Sequence, residues 1–186
     1  MDSRYAILPG VTISALLIGF LSSGFRPLIN NQIIDKGELT VTAVNNHPSV
    51  TLNSYFPESI QQWASLITLS ASEYRLDPNL VAAVMLQESG GNPNAYSSSG
   101  AVGLLQVMPR DGLSEAFLCN GKPCFSNRPS MAELYDPQFN IKYGSRMLAG
   151  LIQRTGSLRE ALKAYGPMDV AYSYADRVIS IYQSTQ

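Results

Sequence analysis

The sequence predicts a mainly α-helical domain, and three features carry that expectation. Two Asp-Pro pairs, Asp77-Pro78 and Asp136-Pro137, each stand ahead of a stretch with apolar residues at helical spacing. The aspartate can accept from the free N–H groups of a first turn, and proline is pre-set for the first helical position. Those stretches end at Gly90-Gly91 and near Gly156, as helices do where the chain must swing through the left-handed region. Ser157 and Glu160 have the capping-box spacing, and Gly166-Pro167 closes the short helix they open.

The chain has 186 residues, of which 45% are hydrophobic and 15% charged, enough for one domain with appendages and too few for two full domains. The formal net charge of −1 gives no basis for a nucleic-acid-binding surface. We divide the chain into residues 1–25, a signal peptide or membrane anchor; residues 26–56, a tether with a possible β-hairpin; and residues 57–186, the helical domain. Residues 6–25 carry no charged side chain and are most apolar over 11–21. That composition suits either an export signal or a retained membrane anchor; both readings place the protein outside the cytoplasm, and the second tethers it to the membrane. In the tether, residues 38–44 alternate with β-branched side chains, residues 45–48 read as a turn, and residues 49–52 could return as the second strand. His47 beside Pro48 is the single histidine, which leaves a serine or cysteine triad without its base and a metal site short of ligands. No cofactor or metal is expected.

Pro57-Glu58-Ser59 opens a helix that passes through Trp63, Leu66, Ile67 and Leu69 to about Tyr74. The next helix starts after Asp77. Val81, Val84 and Met85 lie on one face, and the following position of that apolar stripe is Glu88. A carboxyl there loses water and sits in the negative field of the last turn, and both effects hold its proton toward neutral pH, as a general acid requires. Residues 89–100 contain almost no helix former and must form a surface loop over Glu88. Residues 101–108 read as a short apolar helix stopped by Pro109, with Gln106 its one strong amide. If buried, that amide needs a partner, either backbone or a sugar N-acetyl group. Residues 110–135 form a long loop. Cys119 and Cys124 flank Asn120-Gly121-Lys122-Pro123, and this turn chemistry favours a local disulfide clip over free thiols or half a zinc site. A helix follows from Asp136 to near Gly156, a shorter one from Ser157 to Tyr165, and a last one from about Asp169 to Tyr182.

Taken in order, Glu88-Ser89, Asn92-Pro93, Ser97, Gly103-Leu104-Leu105-Gln106-Val107-Met108-Pro109 and Ala164-Tyr165 resemble the catalytic domain of soluble lytic transglycosylases. That family shares the lysozyme-like α+β fold with goose-type lysozymes. The resemblance spans about residues 60–182. It implies cleavage of the β-1,4 bond between N-acetylmuramic acid and N-acetylglucosamine in peptidoglycan, with a 1,6-anhydro product. By the same resemblance Glu88 would be the single acid and base, Ser97 would orient the acid or substrate, Gln106 and Met108 would line the sugar cleft, and Tyr165 would hydrogen-bond near Glu88. Tyr96, Tyr172 and Tyr174 are candidates for stacking on sugars. Two positions depart from the family pattern: Leu105 replaces a methionine, and Gly166 stands where Ala-Tyr-Asn would put asparagine. A hydrolytic muramidase would need a second carboxylate, for which Asp111, Glu115, Glu133 and Asp136 are within reach. A non-catalytic peptidoglycan-binding module is the third reading, and Glu88 on an apolar stripe argues against it.

Overall fold

A computed structural model describes residues 51–167 and 170–185. The expected signal or anchor of residues 1–25, most of the tether and His47 lie outside the described residues, as does Asp169. Among the described residues no helix is long and apolar enough to cross a membrane.

Helices dominate: α1 (Glu58–Gln61), α2 (Ala64–Tyr74), α3 (Pro78–Ser89), α4 (Met131–Leu134), α5 (Pro137–Thr155), α6 (Leu158–Tyr165) and α7 (Ser173–Gln183). The caps are those the sequence announces. Asp77 accepts from Asn79 N and Gly90 closes α3 with φ 62°. Asp136 accepts from Phe139 N, and Gly156 closes α5 with φ 66°. Ser157 accepts from Glu160 N at the start of α6. The single helix expected from Pro57 to Tyr74 is broken at Gln62 and Trp63 into α1 and α2. The last helix starts at Ser173, later than expected, because Ala171 takes φ 49°, which a right-handed helix cannot include.

α3 is the central element, packed against α1, α2 and α7. It is buried on all faces from Pro78 to Met85, so the one-sided stripe expected from its spacing is a correction: this helix is core throughout. α5 carries α2, α4 and α6 on its flanks. The core joins Ile60 and Ile67, Val81 and Met85, Leu104 and Leu105, Leu134, Ile141, Leu148, Leu162 and Val178. Packing also begins before Pro57, since Phe56 is buried.

The segment between α3 and α4 differs most from expectation. Residues 101–108 are not a helix but a tight loop with isolated bridges from Val102 to Tyr96 and Val107. Gly103 at φ 77° and Gln106 at φ 44° lie in the left-handed region. Buried Asn140 of α5 replaces the missing helical hydrogen bonds. Its Oδ1 accepts from Leu105 N at 2.8 Å, and its Nδ2 donates to Val102 O at 2.9 Å and Leu134 O at 2.8 Å. A Cβ on Gly103 would sit 2.3 Å from that Nδ2, so the loop needs glycine there. Further on, a 3-10 turn (Gly112–Ala116) leads to a two-stranded hairpin of β1 (Leu118–Cys119) and β2 (Lys122–Pro123). The expected disulfide joins Cys119 to Cys124.

Candidate active site

Glu88 is the penultimate residue of α3, half-buried where the helix emerges from the core. Burial pushes its carboxyl up to about 7 from an ordinary 4.5, against the opposing pull of a hydrogen bond from Tyr174. The Tyr174 hydroxyl donates to Glu88 Oε1 at 2.5 Å. Tyr174 itself is only 3% exposed, and burial together with the adjacent Glu88 charge holds its phenol protonated well above the usual range.

A steric detail explains how α7 brings that hydroxyl to Glu88. A Cβ on Gly166 would lie 2.4 Å from both Cγ and Cδ1 of Tyr174. The missing side chain is the seat of the tyrosine ring, so the departure from Ala-Tyr-Asn makes room for the group that contacts the acid. This corrects the expectation that Tyr174 stacks on sugar: its ring is packed inside. Tyr172 is half-buried, with Arg159 4.0 Å and Lys163 4.4 Å from its ring centroid. Tyr96 alone of the three keeps substantial exposure, at 43%.

The loop over Glu88 is tied to α3 and α6. Ser89 Oγ donates to Leu104 O at 2.8 Å, and Tyr165 Oη donates to Leu105 O at 2.9 Å. Tyr165 thus stands beside the acid, close enough for the Glu88 charge to raise its phenol along with burial, yet its hydrogen bond goes to the loop backbone. Gly144 of α5 keeps this junction tight, since a Cβ there would be 2.5 Å from Leu105 Cδ1. Gln106 uses its amide on backbone, donating to Gly103 O at 3.0 Å and Ala95 O at 3.2 Å. Ser97 accepts from Ala101 N at 2.9 Å and pins the loop 97–101. Met108 is half-buried at the end of the loop. Glu88, Tyr165 and the 104–106 backbone are therefore gathered at one place, while Ser97 and Gln106 hydrogen-bond to the loop's own backbone.

The four carboxylates weighed as a second acid have other occupations. Asp111 accepts from Met131 N at 2.7 Å, Glu133 completes the capping box of α4, and Asp136 caps α5. Glu115 is exposed on the 3-10 turn. Among the described residues, Glu88 receives its only side-chain hydrogen bond from Tyr174. Sequence reasoning missed Tyr174 as the partner of Glu88 and Asn140 as the pillar of the loop; the steric demand at Gly166 was the available signal for the first.

The family model described as the transglycosylase SLT domain matches residues 65–171. The chain is 31% identical over 158 residues to the membrane-bound lytic murein transglycosylase E of Buchnera aphidicola, an alignment covering 85% of this chain and 64% of that protein. It is 36% identical over 104 residues to the transglycosylase of Enterobacteria phage PRD1, covering 56% of this chain and 34% of the phage protein. The solved lytic transglycosylase Slt of Pseudomonas aeruginosa aligns with a TM-score of 0.49 and 21% identity, over 63% of this chain and 23% of that one. The chain thus spans less than two thirds of the length of the curated relatives it matches.

Proposed function

Because the chain belongs to the transglycosylase SLT domain family, we propose that it is a peptidoglycan lytic transglycosylase in which Glu88 serves in turn as acid and base. The observation that carries the reading is a half-buried carboxyl held protonated to about pH 7, while Asp111, Glu133 and Asp136 are each engaged in a loop contact or a helix cap. The protonated Glu88 gives its proton to the glycosidic oxygen as the bond to the muramic anomeric carbon breaks. The resulting carboxylate then takes the proton of the muramic 6-hydroxyl, whose oxygen attacks that carbon and closes the 1,6-anhydro ring. The substrate's acetamido group supports the positive charge between the two steps. No water is consumed, so one carboxyl suffices where paired-carboxylate hydrolases need two.

Tyr174 would orient the carboxyl, and Tyr165 and Ser89 hold the loop beside it. Gln106, Met108 and Ser97 would shape the sugar site from the same loop. The reaction lies in the cell envelope, to which residues 6–25 would direct the chain or hold it. Mass spectrometry of digested sacculi tests the reading. Anhydromuropeptides are expected from the native chain, and Glu88→Gln should lower their rate of formation by at least about a hundredfold. Reducing-end products would instead identify a hydrolase, and undiminished activity of the variant would remove Glu88 from the chemistry.

A further inference from the structure

Three described cations are ion-paired, and of those that are not, three arginines share one groove. Arg110, Lys142 and Arg159 are each paired, with Glu133, Glu73 and Asp176 respectively. Arg128, Arg146 and Arg154 have no carboxylate within ion-pair distance among the described residues, and all three line one groove of about 550 Å³ along α5, together with Met147, Gly150 and Ala164. Their guanidinium groups are held by neutral contacts. Arg146 lies over the Tyr143 ring, 4.7 Å from its centroid. Arg128 lies 5.5 Å from the centroid of Phe125 and reaches the Met147 sulfur. Arg154 folds back over Gly150, where a Cβ would come within 3.3 Å of its Nη1. Three positive charges gathered in a concave site without counter-charge repel one another, a cost that an anionic ligand would offset.

The groove adjoins the candidate active site. Ala164 precedes Tyr165, whose hydroxyl holds the Leu105 carbonyl. Met147 lies one helical turn beyond Gly144, which packs on Leu105 and Tyr165. Arg128 is close enough to Tyr165 for its charge to lower that phenol against the effect of burial. We propose that this arginine groove binds the carboxylates of the peptide carried by the substrate's muramic residue, so that the enzyme selects peptide-bearing strands. The inference rests on the transglycosylase reading for its ligand, because in that substrate each scissile bond has a lactyl-linked peptide next to it. A planar guanidinium engages a carboxylate through two parallel N–H bonds, and the net charge of −1 opposes a general affinity for polyanions.

The test uses the full chain and its Arg146→Gln/Arg154→Gln variant, which leaves Arg128 in place. Two substrates are compared: peptide-bearing sacculi, and glycan strands stripped of peptide by an amidase. The ratio of kcat/KM on peptide-bearing to stripped strands is expected to fall about tenfold, the scale of a lost charge-assisted contact. A ratio that does not change, whether the two rates persist or fall together, overturns the proposal. Calorimetric titration of free stem tetrapeptide into Glu88→Gln, with and without the arginine substitutions, reads the site apart from catalysis. Binding that weakens with the substitutions and with added salt supports it. Binding of inorganic phosphate or phosphatidylglycerol vesicles in place of the peptide overturns it. Should the native chain cut neither substrate, the transglycosylase reading fails while the titration still decides the groove.

Discussion

Glu88 is held neutral mainly by loss of water, and Tyr174 pulls its titration the other way. Its folded-state value of about 7 stands above the ordinary 4.5, so the sign of the stability effect is fixed. The contribution is fully present below the ordinary value and is lost as pH rises through about 7, because the folded state must then bury a charge. The upper bound is about 3 kcal/mol, reduced by the partial exposure of the group. Glu88→Gln keeps the shape and can still accept from Tyr174, so its melting temperature should match the native protein near pH 5 and exceed it by several degrees near pH 8. A difference that stays constant across that range would mean that the carboxyl is not desolvated. Gly166 tests the same acid from the side of its partner. Gly166→Ala puts a Cβ into the Tyr174 ring, an overpacking expected to cost about 1–3 kcal/mol. Moving the hydroxyl away removes the hydrogen bond that lowers Glu88, so the alkaline limb of the pH–rate profile should move upward while kcat falls about tenfold. Tyr174→Phe should reproduce the shift of the limb without the strain; identical profiles in all three proteins would separate Tyr174 from the acid.

The loop over Glu88 is stable because α5 supplies what a helix would otherwise have supplied to itself. Asn140→Ala would leave Leu105 N, Val102 O and Leu134 O without their partner, all in a buried site. Unfolding experiments are therefore expected to show a loss of about 3–5 kcal/mol, with cleavage slowed in whatever fraction remains folded. A loss under about 1 kcal/mol would mean that the loop holds itself. The same element marks the limit of what could be read in advance. The ends of α3, α5 and α6 were legible because Asp77, Asp136 and Ser157 cap the turn immediately following them, an interaction local in sequence. Residues 101–108 were misread as a helix because their apolar composition is that of buried chain of any kind, and the residue that decides their path stands 35 positions away. The raised pKa of Glu88 was legible from its place near the end of an apolar helix. Its neighbour Tyr174, separated from it by 86 positions, was hinted at in the sequence only by Gly166, whose missing side chain leaves room for the ring.

At the scale of the whole domain, the helix that carries the acid is fastened at both ends by segments distant in sequence. At its exit, Ser89 is bonded to Leu104 and Glu88 to Tyr174. At its entry, both ends of the described chain converge. Asn53 N donates to Asn79 Oδ1 at 2.8 Å, and Asn53 Nδ2 donates to Thr185 O at 2.9 Å. Tyr182 Oη donates at 2.8 Å to Asp77 Oδ2, the second oxygen of the carboxylate whose Oδ1 caps α3. The C-terminal turn therefore acts on the first turn of α3, about three helical turns from Glu88 by the length of that element. A chain ending at Ile181 would lose the Tyr182 and Thr185 contacts together and expose part of the α3·α7 packing. We expect it to lose about 2–4 kcal/mol in denaturant unfolding, whereas Tyr182→Phe alone should cost about 1 kcal/mol because the Asp77 cap is retained. Since neither change touches the surroundings of Glu88, the pH–rate profile of the folded fraction should keep its midpoints. If truncation instead shifted those midpoints without lowering stability, the entry of α3 would be coupled to the acid directly, and the division of the helix into an anchored start and a reactive end would be wrong.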